Sequence, residues 1–100
     1  MTGLTKIVFD EERKVLVDDD KLEFKGTRVS KVVHEETHLV SSRDYAETSA
    51  ISKLEEIGRE RYHADAYELL SLSSRDDSGM GEYIRPSFGA TARAIFYRRN

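Results

Sequence analysis

Apolar residues in the first quarter of the chain come in short β-rich runs separated by charged links. Residues 6–9 (Lys-Ile-Val-Phe) and 14–17 (Lys-Val-Leu-Val) flank Asp10, Glu11, Glu12 and Arg13, a polar link of hairpin length that predicts strand, turn, strand. Asp18, Asp19 and Asp20 read as a solvated acidic turn. Leu22, Glu23, Phe24 and Lys25 then alternate apolar and charged, as a half-buried strand does, until Gly26 breaks the run. Over residues 27–40, Val29, Val32, Val33, Thr37 and Val40 favour a strand by their branching at Cβ. Val29, Val32 and Val33 would also suit one face of a helix.

The period then changes from two to 3.6. Ala46, Ala50, Ile51, Leu54, Ile57 and Gly58 share one stripe, while Ser52, Lys53, Glu55, Glu56, Arg59 and Glu60 face away, which predicts an amphipathic helix. Its start is expected near Ser41 or Asp44, since Ser41 with Asp44 and Asp44 with Glu47 have capping spacing. Glu55 and Arg59 form an i, i+4 pair in the favourable orientation. Residues 64–72 predict a buried strand carrying Tyr67, Leu69, Leu70 and Leu72, and residues 73–89, with three glycines and Pro86, predict a long loop. The last strand alternates cleanly. Ala90, Ala92, Ala94 and Phe96 lie on one side and Thr91, Arg93, Ile95 and Tyr97 on the other, the small side admitting a helix closely. The order predicts an α+β domain over residues 1–100: a small antiparallel-rich sheet with one amphipathic helix on one face. Residues 1–25 supply an N-terminal hairpin and residues 26–98 a strand, helix, strand, strand unit.

At 100 residues a second catalytic domain is excluded, and so small a core favours self-association. The formal charge of −3 removes the broad basic footprint of a general nucleic-acid binder. Without cysteine there is no disulfide, thiolate zinc site or thiol nucleophile, so a metal would have to sit on His and carboxylates. No apolar run has the length of a signal peptide or a membrane span, from which a soluble cytoplasmic protein is expected.

Gly26-Thr27-Arg28-Val29-Ser30 at a strand, Lys53-Leu54-Glu55-Glu56-Ile57-Gly58 ending the helix, His63-Ala64-Asp65-Ala66-Tyr67-Glu68-Leu69, and Gly89-Ala90-Thr91-Ala92-Arg93-Ala94-Ile95-Phe96-Tyr97 occur in that order. Over about residues 26–98 this resembles the YbjQ-like family of small α+β domains, and it is similar to the YdgH/BhsA-type stress-response domains over the same unit. The resemblance implies the fold and homo-oligomers, and little chemistry. His63 stands where that pattern has glycine, which puts in doubt a left-handed turn there.

The sharpest chemical motif is His34-Glu35-Glu36-Thr37-His38, a literal His-Glu-x-x-His. On a helix His34 and His38 would grip zinc and Glu35 would polarise its water, with Glu55, Glu56 or Glu60 as third ligand, giving a metallopeptidase. On a strand the two imidazoles lie about 13 Å apart, too far for one ion. The extended reading, with no catalytic residue and no cofactor, is preferred. His63 reads as a residue of the helix-to-strand junction. Tyr83, Phe88, Arg93, Tyr97 and Arg98, in a terminal segment with no acid after Glu82, are candidate interface or ligand residues. The same aromatics and arginines would serve a weak single-stranded nucleic-acid binder, the less favoured use. The expected function is a non-enzymatic binding and assembly domain, associating through unpaired strand edges, with the loop over residues 73–89 as partner contact.

Overall fold

The computed structural model describes residues 3–76 and 87–100. These form one helix and a six-stranded, mostly antiparallel open sheet. In chain order the elements are β1 (Thr5–Asp10), β2 (Val15–Val17), β3 (Gly26–Arg28), β4 (Val33–Val40), α1 (Arg43–Glu60), β5 (Ala66–Asp76) and β6 (Phe88–Arg99). The sheet runs β2-β1-β5-β6-β3, with β4 also pairing β6. β6 is therefore the central strand, bordered by β5 on one side and by β4 and then β3 on the other. Among the described strands only β1 and β5 run parallel. No helix among the described residues is long and apolar enough to cross a membrane.

Local polar chemistry shapes the N-terminal hairpin. Asp10 accepts from the amides of Glu12 and Arg13, which bends the chain through Lys14 at φ 59° and delivers Val15 opposite Asp10. These bonds, with the Arg13 guanidinium, hold the Asp10 carboxyl below its ordinary range. Asp18 repeats the device, accepting from Asp20 and Leu22 ahead of Lys21 at φ 66°. The strand expected over residues 22–25 reduces to a Val17–Glu23 bridge, with the Phe24 amide donating to Leu16. Phe24 is buried as the alternation requires, but Leu22 is 64% exposed. Phe24 joins Ile7 and Ala66 in a small apolar cluster flanked by Leu16 and Tyr97.

The β-branched run of residues 27–40 is two strands. Between them Ser30 is buried, and its hydroxyl accepts from the Phe96 amide at 2.9 Å, filling a gap in the ladder along β6. The helix begins one or two residues from the expected caps. Ser42 is its N-cap, extended at φ −149°, and accepts from the Tyr45 amide. Ala46, Ala50 and Leu54 share the main buried cluster with Ala90, Ala92, Ala94 and Phe96 of β6, so the two small-residue patterns read from the sequence meet each other. Contact is tightest at Gly58, where an added Cβ would lie 2.5 Å from the Phe96 ring. After α1 the chain does turn left-handed at His63, φ 51°, despite its side chain. Arg98 secures that turn by donating to the Tyr62 and His63 carbonyls.

The two long strands correct the expected loop over residues 73–89. β5 continues through Asp76 and β6 starts at Phe88, because Ser73, Ser74, Arg75 and Asp76 pair with Thr91, Ala90, Gly89 and Phe88. Polar residues hold an extended conformation here because a neighbour supplies the ladder. Residues 77–86 of that segment, Tyr83 included, lie outside the described residues. A bulge between Leu69 and Ser71 turns Leu70 outward, leaving it 44% exposed where a buried position was expected.

Candidate functional site

The His34-Glu35-Glu36-Thr37-His38 segment is extended, inside β4. The helical geometry that the zinc alternative requires is therefore not present. Glu55 is occupied at the other side of the helix: it pairs with Arg59 at 3.8 Å and hydrogen-bonds the Tyr67 phenol. Glu56 and Glu60 are exposed on α1. Among the described residues no group of three or more His, Cys, Asp or Glu is placed to hold a metal ion.

Strand registry instead gathers polar side chains into ranks across β4, β6 and β5. His34 stands opposite Arg93, which stands opposite Ser71. Two residues along, Glu36 faces Thr91, which faces Ser73. In the third rank Arg75 faces Gly89. Gly89 has no side chain, so the Arg75 guanidinium extends across β6 and donates to the Thr37 carbonyl, the Thr91 hydroxyl and His38 Nδ1. A guanidinium can only donate, so His38 Nδ1 accepts, while His38 Nε2 stands 3.2 Å from Glu36 Oε2. Thr91 Oγ1 donates to Glu36 Oε1 at 3.2 Å. Arg75, His38, Glu36 and Thr91 thus form one closed polar network over three strands.

Arg93 and His34 stand outside it. Both are exposed, and neither side chain makes a hydrogen bond or ion pair with another described residue. The rank of His34, Arg93 and Ser71 is consequently a row of uncommitted donors, about 4.8 Å apart from strand to strand. The arrangement can hold an anionic surface by charge and hydrogen bonds, and among the described residues no hydrogen bond joins Ser71 to His34.

The remaining sequence candidates are committed elsewhere. Tyr97 packs edge-on against Phe24 with ring centroids 6.3 Å apart, and its hydroxyl donates to Glu68 at 3.1 Å. Burial, then the bond to Glu68, raises its pKa. Phe88 lies under the Arg43 guanidinium, 5.0 Å from the ring centroid. Arg98 is occupied by the two carbonyls after α1, and Arg99 covers the Phe24 ring at 4.9 Å. Of the five interface candidates, Arg93 alone among the described residues presents an uncommitted charged group. Arg75, Gly89, Thr91 and Ser71 carry the site beside it and were not singled out by spacing. Their grouping depends on registry, although an arginine and a glycine near facing strand ends were visible.

Tyr67 gives one measurable electrostatic consequence. Burial, then the negative charge and hydrogen bond of Glu55, pushes its phenol up to about 12. A folded pKa above the unfolded value means the stabilisation is complete below pH 10 and is lost as pH rises toward 12. Denaturant unfolding at pH 9 and pH 11.5 should therefore show a larger alkaline loss for the natural chain than for Tyr67→Phe. Equal losses would contradict the assignment.

No protein-family model, curated protein or solved structure matches this chain.

Proposed function

We propose that this protein is a non-enzymatic binding and assembly domain that self-associates, using the sheet face opposite its helix. On this reading α1 covers one face through Ala46, Ala50 and Leu54, and the Phe24 cluster covers only one end of the other. The observation that carries the proposal is the remainder of that second face, left open among the described residues, where polar side chains from three strands include an arginine and an imidazole with no side-chain partner among those residues. The short motifs within residues 26–98 that resemble YbjQ-like domains, for which homo-oligomers are implied, favour the same reading.

The strand edges, first expected to mediate association, are partly guarded. Residues 22–24 pair along β2, and on β4 the Lys53 ammonium donates to the Glu36 carbonyl at 2.9 Å. A lysine on an edge carbonyl and a bulge at Leu39 are the usual means of blocking sheet extension. Association through side chains on the face avoids both obstacles.

Sedimentation equilibrium at about 10 μM, a concentration at which interfaces of ordinary size are occupied, tests this directly. The expected species has at least twice the 11.5 kDa chain mass. A lone monomer would overturn the proposal, and so would equimolar zinc retained through dialysis and lost in His38→Ala.

A further inference from the structure

Charge is distributed unevenly across the sheet. Residues 10–23, which make the β1–β2 link and the turn after β2, hold seven acids and three bases. Residues 87–100, which make β6, hold three arginines and no acid. Within the acidic end, Asp18 is used by its own turn through the amides of Asp20 and Leu22. Asp19 and Asp20 are exposed, and their carboxylates have no hydrogen-bond or ion-pair partner among the described residues. The molecule therefore carries uncommitted carboxylates at one edge of the sheet and the uncommitted Arg93 and His34 near the other.

The two sets cannot neutralise each other within one chain. β2 and β6 are three strands apart in the order β2-β1-β5-β6, about 14 Å at 4.8 Å per step. Each end is also pinned, the acidic turn by its Asp18 bonds and Arg93 by pairing on both sides of β6. Only a second molecule can bring the charges together.

We infer that the occupant of the His34–Arg93–Ser71 rank is the acidic turn at Asp19 and Asp20 of a second copy of this chain. Docked reciprocally, the two copies satisfy both patches in a closed two-fold dimer, each turn on the other's rank. The exposed Leu22, beside that turn, and Leu70, beside the rank, supply apolar surface next to the charges. This rests on the self-association proposed above and names the surfaces that perform it. Because the contact is ionic at its centre, it weakens as salt screens it.

The test is a charge exchange followed by sedimentation, with far-UV circular dichroism confirming folding of these surface variants. Arg93→Glu alone should weaken association at least about tenfold, as should the double variant Asp19→Lys/Asp20→Lys, because each sets like charges face to face. Mixed one to one, the two variants should form a heterodimer, since Glu at 93 then meets Lys at 19 and 20 while the intact pair remains. Raising salt from about 0.05 to 0.5 M should dissociate the natural dimer and the heterodimer alike. If the natural chain associates while both variants match it, or the mixture stays monomeric, the assigned surfaces are wrong and self-association stands. A natural chain that is monomeric at low salt overturns both.

Discussion

Replacing Phe96 with alanine lowers the unfolding free energy by about 3–5 kcal/mol, the largest single-residue effect expected in this chain. The ring is fully buried and belongs to a cluster whose other members on β6 and α1 are mostly alanines. Alanines cannot swing into the vacated space, so the cavity persists and its cost adds to the lost transfer free energy. Stacking against Tyr62, with ring centroids 5.6 Å apart, is lost as well. Against a total of about 5–15 kcal/mol for a domain of ordinary stability, a loss of this size leaves little margin.

The same cavity changes what Gly58 tolerates. In the natural chain Gly58→Ala would drive its Cβ against the Phe96 ring at 2.5 Å and Leu4 Cδ1 at 2.7 Å, so the about 1 kcal/mol gain in helix propensity is outweighed. In the Phe96→Ala background the ring is gone and the added methyl becomes neutral or stabilising. Urea unfolding of the four chains in this cycle checks both statements. A Phe96→Ala loss under about 2 kcal/mol, or an equal Gly58→Ala effect in both backgrounds, would refute the packing account.

The core was legible because its information is local. The 3.6-residue recurrence of Ala46, Ala50, Leu54 and Gly58 and the alternation of Ala90, Ala92, Ala94 and Phe96 each declare a face within one segment. That the two faces meet follows from their matched small residues. β1 was also visible, as a β-rich run before a polar link, but its parallel pairing with β5 was not. That partner lies about sixty residues further on, and nothing in either run specifies it. Residues 73–76 carry no strand signal for a related reason: Ser-Ser-Arg-Asp has weak strand propensity, and its conformation is imposed by β6.

The candidate surface was only partly legible. His34, His38 and Arg93 attract attention as residue types, but the motif that singled out the histidines assumes a helix. Their actual neighbours are set by strand registry, which places Arg75 within reach of His38 only because Gly89 leaves the space between them open. By sequence Gly89 falls at the end of the expected loop over residues 73–89. In the folded chain its missing side chain is what matters. Tyr97 packs edge-on against the Phe24 segment where it folds back onto the sheet, a contact between residues far apart in sequence.

Ser30→Ala should cost about 1–3 kcal/mol, a large effect for removing one oxygen. Where β3 ends at Arg28 and β4 has not begun, the central strand faces a break in its partner. The Val29 amide still donates to the Phe96 carbonyl at 2.9 Å, but the Phe96 amide has only the Ser30 hydroxyl to donate to. Ser30 is 8% exposed, so water does not readily replace the lost oxygen, and the alanine variant leaves a buried donor unsatisfied. Lys31→Ala, at the next and exposed position, should stay within about 0.5 kcal/mol and serves as control. Hydrogen exchange makes the argument specific, because the Phe96 amide should lose protection in Ser30→Ala beyond the fall in global stability, while its neighbours track that fall. If the Phe96 amide exchanges no faster than global unfolding requires, the hydroxyl is not what bridges the two strands, and the continuity of that sheet edge must come from the backbone alone.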